Sequence, residues 1–160
     1  MLQSTDITTT SRLAPPHGLQ EIINVFGDIF EFTHPDGHLD PRWESQTLTR
    51  ITLPFPLPLS WNPELVVDHI GCHKLLAGIF VDVFAQIQQR GLAGSVNSLG
   101  GCFSFRSAGA KISTHAWDIA IDLNTRTNAQ GTKWSSGCKH HRNLPRRGLH
   151  MGWRLAGQKP

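Results

Sequence analysis

Apolar residues at helical spacing form the longest regular pattern in the chain, and they follow Asn62-Pro63-Glu64. An asparagine before a proline and an acid is a typical helix start, and Arg90-Gly91 provides a helix end. The pattern therefore predicts one long helix that supports a sheet. Its apolar positions are Leu65, Val66, Ile70, Leu76, Ile79, Phe80, Val83, Phe84 and Ile87.

Two other stretches have the spacing of strands. Between positions 119 and 123, isoleucine and leucine alternate with Ala120 and Asp122. This alternation predicts a strand that packs one apolar face on the core and presents Asp122 on the other. Residues 49–59 alternate prolines with apolar residues. Because proline lacks the N–H that a ladder needs, they are predicted to form an edge strand or an extended connection.

The N-terminal quarter divides into three short segments. Residues 1–16 are expected to be a disordered lead that ends at two prolines. Apolar spacing predicts a short helix over residues 18–32, although Phe26-Gly27-Asp28 could end that helix early. A His-Pro-Asp-Gly-His sequence follows at residues 34–38. Its two histidines could suggest a metal site, but the proline and glycine between them favour a solvated turn.

Composition and charge narrow the possibilities. The 160 residues are expected to form one domain, and no apolar run is long enough to span a membrane. Residues 1–132 hold all twelve acids and eight Lys/Arg, a net charge of −4, whereas residues 133–160 hold seven Lys/Arg and no acid, a net charge of +7. Three cysteines make no paired framework, which suits a reducing compartment. The N-terminus lacks a signal-peptide layout, so a cytoplasmic location until release is expected.

His115 and Asp122 are the first candidates for chemistry. A neutral imidazole and a carboxylate are both good zinc ligands, with bonds of roughly 2.0–2.2 Å. Seven extended residues span about 23 Å, so the pair can share a metal only if the chain bends sharply near Ala116-Trp117-Asp118. On spacing alone, a loop histidine and a strand-end aspartate at a turn are the better interpretation. Trp117 is expected to pack in the core rather than to line a cleft.

His69 and His73 lie four positions apart, as in helical zinc motifs, but no glutamate follows His69 and Gly71 weakens the helix. An exposed or packed pair is therefore favoured. Cys72 and Cys102 are predicted to be buried small residues. Because Cys102 comes just before His115 in the chain, a metal-binding role for it stays open.

The wording of residues 100–124 is more specific than the spacing. Ser113-x-His115-x-x-x-x-Ala-x-Asp122, preceded by Gly-Cys-Phe-x-x-Arg106, resembles the zinc DD-peptidase family. This family includes VanY-like D-alanyl-D-alanine carboxypeptidases and the phage and bacterial L-alanyl-D-glutamate endopeptidases. The resemblance runs from about Thr49 to Gly131. It implies an α+β, Hedgehog/DD-peptidase-like fold, in which helices pack on one side of a small antiparallel sheet.

Residue roles follow from the resemblance position by position. His115 and Asp122 match two of the three zinc ligands. Arg106 matches the arginine that steadies the substrate carbonyl or a nearby carboxylate, and it is the candidate catalytic and substrate-binding residue. Ser113 matches the serine two places before the ligand histidine and is a candidate substrate-side or supporting group. This chain has Asp118 where the family usually has glycine, a residue that makes the sharp bend without steric cost.

The resemblance implies a zinc metallopeptidase that hydrolyses peptidoglycan stem peptides, as carboxypeptidase or endopeptidase, in cell-wall degradation of the phage endolysin kind. The zinc would activate a water molecule and polarise the scissile carbonyl. The expected partner is the stem peptide, with no membrane or nucleic-acid partner, and the chain is expected to be a monomer that acts at the cell wall.

The C-terminal residues depart from the family. The family supplies its third ligand and its base from an Asp-Pro-x-His segment, whereas residues 133–160 are basic and contain no acid. When the tail is translated back into possible codons and these are read one nucleotide later, they can encode an amphipathic helix followed by a Trp-Gly-Gly sequence. We therefore interpret residues 17–132 as an incomplete peptidase domain and residues 133–160 as an aberrant tail read out of frame. The coding DNA tests this hypothesis.

Two alternatives take the tail at face value, and a third concerns the whole chain. The tail could be a basic arm that binds nucleic acid or anionic wall polymer. One of its cysteine or histidine side chains could replace the missing ligand, and the candidates are Cys138, His140, His141 and His150. The chain could also be a non-catalytic wall- or peptide-binding module. In the favoured interpretation, two ligands hold zinc weakly and activity is impaired.

Overall fold

An α+β fold with a four-stranded mixed sheet is seen in the computed structural model, which describes residues 13–105 and 112–127. The strand order is β2-β1-β3-β4, with β1 parallel to β3 and the other neighbours antiparallel. The α-helices are α1 (Leu19–Phe26), α2 (Pro41–Thr47) and α3 (Ala77–Gln89). The strands are β1 (Leu48–Leu59), β2 (Asn62–His73), β3 (Leu99–Gly101) and β4 (Asp122–Leu123). The 3-10 turns are Ile29–Phe32, Lys74–Leu76, Ala93–Ser95 and Thr114–Trp117.

The expected α+β class is confirmed at this coarse level, but the expectation of an antiparallel sheet is wrong in one respect. The pairing of Leu59 with Leu99 is parallel, because the chain runs through β2 and α3 before it returns beside the end of β1. None of the helices in the described part of the chain is long and apolar enough to cross a membrane.

The β1–β2 hairpin is the largest feature of the sheet. It pairs from Leu48 with His73 to Leu59 with Asn62, and its register shifts between Thr52 and Leu57. Pro54, Pro56 and Pro58 lie at or just after this shift. Because the strand pairing is interrupted there, the missing N–H groups of the prolines cost few ladder hydrogen bonds. The predicted extended segment over residues 49–59 is confirmed. The edge alternative is wrong, because β1 lies between β2 and β3.

The predicted long helix is wrong over its first half. Residues 62–73 form β2, Lys74–Leu76 is a 3-10 turn, and the helix begins only at Ala77. Val66, Val67 and Ile70 are β-branched and favour a strand. Pairing with β1 then satisfies backbone N–H and C=O groups of β2, and this pairing outweighs the local helix signals. The second half of the prediction, over α3, is confirmed.

Two apolar cores lie in the described part of the chain. The first lies where α3 packs on the sheet, and the second joins α1, α2 and the segment around Trp117. Buried members of the first are Ile51, Leu53, Leu57, Leu59, Ile70, Cys72, Phe84, Leu99 and Cys102. Those of the second are Phe26, Ile29, Trp43, Ala116 and Trp117. The segment that carries the candidate chemistry therefore connects the two cores.

Near the N-terminus, α1 ends at Phe26, so the early-ending alternative is correct. Gly27 has φ +98°, and a Cβ there would lie 3.3 Å from the Trp43 ring. The chain restarts as a 3-10 turn, in which the Asp28 carboxylate accepts a hydrogen bond from the Phe30 N–H at 2.9 Å. The predicted turn at residues 34–38 is confirmed, since the His34 N–H donates to the His38 carbonyl at 2.8 Å.

Adding a methyl group should have opposite effects at Gly100 in β3, which packs on β4, and at Gly78 in α3. A Cβ at Gly100 would lie 2.4 Å from Thr125 Cγ2 and 2.7 Å from Asp122 Cβ, whereas a Cβ at Gly78 in α3 would meet nothing within 4 Å. We expect Gly100→Ala to lower the free energy of unfolding by about 1–3 kcal/mol through overpacking. Gly78→Ala, the matched control, should raise it by about 0.5–1 kcal/mol. Urea unfolding measures both, and a Gly100→Ala protein as stable as wild type would contradict the packing described.

Candidate metal centre

A tight turn brings His115 back toward Asp122. Residues Thr114–Trp117 form a single 3-10 turn, and Asp118 ends it in the left-handed conformation, with φ 56° and ψ 36°. The Ser113 hydroxyl accepts a hydrogen bond from the His115 N–H at 3.3 Å and so caps the turn. The sharp bend that a shared metal requires is therefore present, at the residues where the sequence needed it.

The turn closes the seven-residue gap between the two candidate ligands. His115 Nε2 lies 3.5 Å from Asp122 Oδ2. Asp122 reaches this point from β4, where it pairs with Gly101. The imidazole is only 22% exposed and the carboxylate is 57% exposed, so one partner is held by the protein and the other faces solvent. A cation placed between them can keep part of its water shell.

The orientation of His115 is fixed by the far side of its ring. Nδ1 lies 2.6 Å from the Cys102 carbonyl oxygen. A carbonyl can only accept, so Nδ1 carries a proton, and Nε2 is the ring nitrogen that faces Asp122. The His115 carbonyl in turn accepts from the Ser104 N–H at 3.0 Å. A metal-binding histidine is typically held in this way, with its second nitrogen donating to a carbonyl or carboxylate.

Asp118 is buried directly beneath the turn. Its side chain is fully excluded from solvent, and neither carboxylate oxygen has a hydrogen-bond partner among the described residues. Burial raises the pKa of this carboxyl above its usual value. A Cβ added to Gly71 of β2 would lie 3.5 Å from Asp118 Oδ2, so the carboxyl lies next to the β2 backbone.

Cys72 and Cys102 are buried, as predicted, and both thiols stay protonated at neutral pH. Burial, helped by the nearby Asp118 carboxyl, raises the pKa of Cys72 to about 11 and raises that of Cys102 as well. The Cys102 thiol donates to the Ala120 carbonyl, with 2.9 Å between sulfur and oxygen. With its thiol directed to Ala120, Cys102 contacts His115 through its backbone carbonyl.

The histidine pair at 69 and 73 has no metal-binding arrangement. Both residues lie on β2 rather than on a helix. His73 is buried, its Nε2 donates to the Phe26 carbonyl at 3.2 Å, and its Nδ1 accepts from the Leu75 N–H at 3.2 Å. Burial lowers the pKa of His73, so the neutral ring serves as a structural link. His69 Nδ1 lies 2.8 Å from the Asp68 carboxylate.

The remaining predicted residues have mixed outcomes. Trp117 is fully buried, and its indole N–H donates to the Gly27 carbonyl at 2.9 Å, which confirms core packing. Ser113 is exposed and caps the turn, and its substrate-side role stays a prediction. Arg106 lies outside the described residues, as do residues 133–160 with their alternative ligands.

Sequence reasoning missed Trp61, which lies in the turn between β1 and β2. Its side chain is 65% exposed, and its ring lies 3.7 Å from where a Gly101 Cβ would be. Since Gly101 pairs with Asp122, the indole lies beside the candidate site. A tryptophan next to Ser60 and Asn62, in a polar turn, was the available signal.

The donors fit zinc in kind and in orientation, but the described residues provide only two. Within residues 13–105 and 112–127, no group of three or more His, Cys, Asp or Glu side chains is arranged to hold a metal ion. Comparison with models of protein families, with curated proteins and with solved structures finds no match.

Replacing Asp118 by Asn tests the cost of the buried carboxyl. The pKa of Asp118 is raised above 3.8 in the folded chain, so below that pH the group is protonated whether folded or unfolded. As the pH rises, the unfolded chain ionises first, and wild-type stability falls until the folded pKa is passed. We expect Asp118→Asn to unfold like wild type near pH 3.5 and to be more stable by on the order of 1 kcal/mol at pH 7.

Urea unfolding at several pH values measures this difference. Asp82→Asn on the exposed face of α3 is the matched control, and it should shift stability little at any pH. A stability difference for Asp118→Asn that does not change with pH would contradict the assignment of a raised pKa.

Proposed function

We propose that the chain is a zinc-dependent peptidase of the type that hydrolyses peptidoglycan stem peptides, with impaired activity. One observation carries the proposal: His115 Nε2 faces Asp122 Oδ2 at 3.5 Å while Nδ1 donates to the Cys102 carbonyl. The chain's own contacts thus orient an imidazole and a carboxylate toward one point. The fold is proposed to be the Hedgehog/DD-peptidase-like form of the α+β class.

Zinc would be held by His115 and Asp122. When bound, it would supply a water molecule of lowered pKa and would polarise the scissile carbonyl. His115 contributes a neutral nitrogen in a fixed tautomer, and the Cys102 carbonyl keeps the ring from turning away. Asp122 contributes a charge at the solvent side, where a peptide can approach. Arg106 is proposed to stabilise the developing charge on the substrate carbonyl, and Ser113 to keep the turn capped.

Impairment follows from the number of ligands. Catalytic zinc sites commonly use three protein ligands plus a water molecule. Two nameable ligands bind the metal weakly, so little of the protein carries zinc at ordinary concentrations. The third ligand and the base belong, by resemblance, to the region that begins near Lys133. If this region is read out of frame, the remaining chain keeps the positions of His115 and Asp122 but loses most of its catalytic activity.

A non-catalytic peptide-binding module is the second candidate. It is favoured by the exposed indole of Trp61, which lies beside Gly101 and next to the strand that carries Asp122. An aromatic ring over bare glycine backbone offers a flat apolar surface for a ligand. Such a module binds peptide equally well with and without zinc, whereas the peptidase requires the metal for cleavage.

Zinc titration by calorimetry, with Asp122→Asn and His115→Ala as variants, tests the proposal. We expect wild-type protein to bind one zinc weakly, and each variant to lose at least roughly tenfold in affinity, because the loss of a ligand should cost no less than the loss of an outer hydrogen bond. Asp82→Asn should bind as wild type does. Stem-peptide cleavage, followed by mass spectrometry, should be slow, zinc-dependent and absent in both ligand variants.

Two results would contradict this proposal in different ways. Zinc affinity unchanged in Asp122→Asn would show that the metal, if bound, lies elsewhere. Tight stoichiometric zinc with rapid cleavage would keep the peptidase but overturn its impairment.

A further inference from the structure

A cavity of about 330 Å³ lies at the end of the sheet, beyond the candidate metal centre. This volume is within the range of small-ligand pockets. One side is the β1–β2 turn, and the other is the turn that follows β4. Its lining residues are Pro58, Leu59, Ser60, Pro63, Asn97, Ser98, Asn124, Arg126 and Thr127.

The wall that carries Arg126 is held rigidly. The Asn124 carboxamide accepts hydrogen bonds from the N–H groups of Asn97 at 2.6 Å and Ser98 at 3.2 Å, and it donates to the Ser95 carbonyl at 2.7 Å. Thr127 closes the turn, with its N–H 3.0 Å and its hydroxyl 3.1 Å from the Asn124 carbonyl. These hydrogen bonds engage both the side chain and the carbonyl of Asn124, and they hold the backbone that carries Arg126.

Among the residues that the structure describes, Arg126 is the one cation that lines this cavity, and it is exposed. No hydrogen bond or ion pair joins its side chain to another residue in the described ranges, 13–105 and 112–127. A guanidinium is always charged and presents a rigid fork that matches a carboxylate. The two prolines and the leucine make most of the lining apolar, and Arg126 adds a charge that is unpaired in the described ranges. This combination suits a small apolar side chain that carries a carboxylate next to it.

The cavity also lies in line with the metal centre. β4 pairs with β3 through Asp122 with Gly101 and Leu123 with Leu99. Asn124 comes directly after β4, two residues or about 7 Å of chain from Asp122. Trp61 follows Ser60 of the cavity wall, and its ring lies against Gly101. A peptide that crosses this indole can reach from Asp122 to the cavity with about two residues.

We propose that Arg126 and this cavity form a carboxylate-binding subsite, which holds the terminal carboxylate of a peptide whose last two residues span from Asp122 to the cavity. The proposal rests on the peptidase function for the identity of the bond presented to His115 and Asp122. It does not rest on zinc, because the backbone that carries Arg126 is held by the hydrogen bonds of Asn124 and Thr127. Arg126 is a specificity-determining residue in this scheme and takes no part in the chemistry.

The test compares N-acetyl-D-alanyl-D-alanine with its C-terminal amide, titrated into zinc-free full-length protein at 150 mM NaCl and followed by NMR. We expect the acid to bind about tenfold more tightly than the amide, the value of one charge-assisted hydrogen bond. The acid should also shift the amide signals of residues 97–98 and 124–127. Arg126→Gln should remove the preference for the acid, and Arg126→Lys should keep part of it.

Arg50→Gln is the matched control, since Arg50 is an exposed arginine on β1 roughly 30 Å of strand from the cavity. It should keep the full preference. Equal binding of acid and amide by wild type, an unchanged preference in Arg126→Gln, or a preference lost equally in Arg50→Gln would each overturn the subsite.

His115→Ala separates this proposal from the peptidase function. We expect that variant to lose zinc and cleavage and to keep the preference for the acid. If wild type cleaves no stem peptide but Arg126→Gln still abolishes the acid preference, the subsite stands and the peptidase function fails.

Discussion

The imidazole of His115 is held from behind by the Cys102 carbonyl, at 2.6 Å from Nδ1, and the rest of the candidate site is arranged around that contact. It places a proton on Nδ1, turns Nε2 toward Asp122, and ties the 3-10 turn to the irregular segment that follows β3. A second link, from the Ser104 N–H to the His115 carbonyl at 3.0 Å, makes the connection two-sided. Without these bonds, the His115 side chain could rotate away from the exposed carboxylate of Asp122.

This arrangement has a cost at Asp118. The turn ends in a left-handed residue, which glycine adopts freely and aspartate adopts only with some strain. The same residue buries a carboxyl that finds no hydrogen-bond partner within the described chain. The neighbouring thiols of Cys72 and Cys102 are themselves shifted further toward the protonated form. The turn is stabilised instead by apolar packing of Ala116 and Trp117, both fully buried in the second core.

How far the sequence predicts this structure depends on where each signal is located. The need for a bend before Ile119 is a local signal, and the bend is present. The apolar alternation over residues 119–123 is also local, but only Asp122–Leu123 forms a strand, and Ile119 packs on the second core while Ile121 and Leu123 pack on the first. The helix predicted from Asn62 failed because its competitor, pairing with β1, is a long-range contact that no local window contains. The role of Cys102 is harder still, since a backbone carbonyl is the same at every residue. Trp61 could be found as an exposed aromatic only after the hairpin was known.

The contacts that bring His115 to Asp122 are contacts of the fold itself. In small zinc domains the ligands meet only when the metal is present, so the metal contributes to folding. Here His115 and Asp122 meet because β4 pairs with β3 and because the turn is capped, bonded and packed by the chain's own residues. Bare backbone at Gly100 completes the frame, since a Cβ there would clash with Asp122 Cβ. In the proposed peptidase, we therefore expect the loss of a zinc ligand to weaken zinc binding more than it weakens the fold.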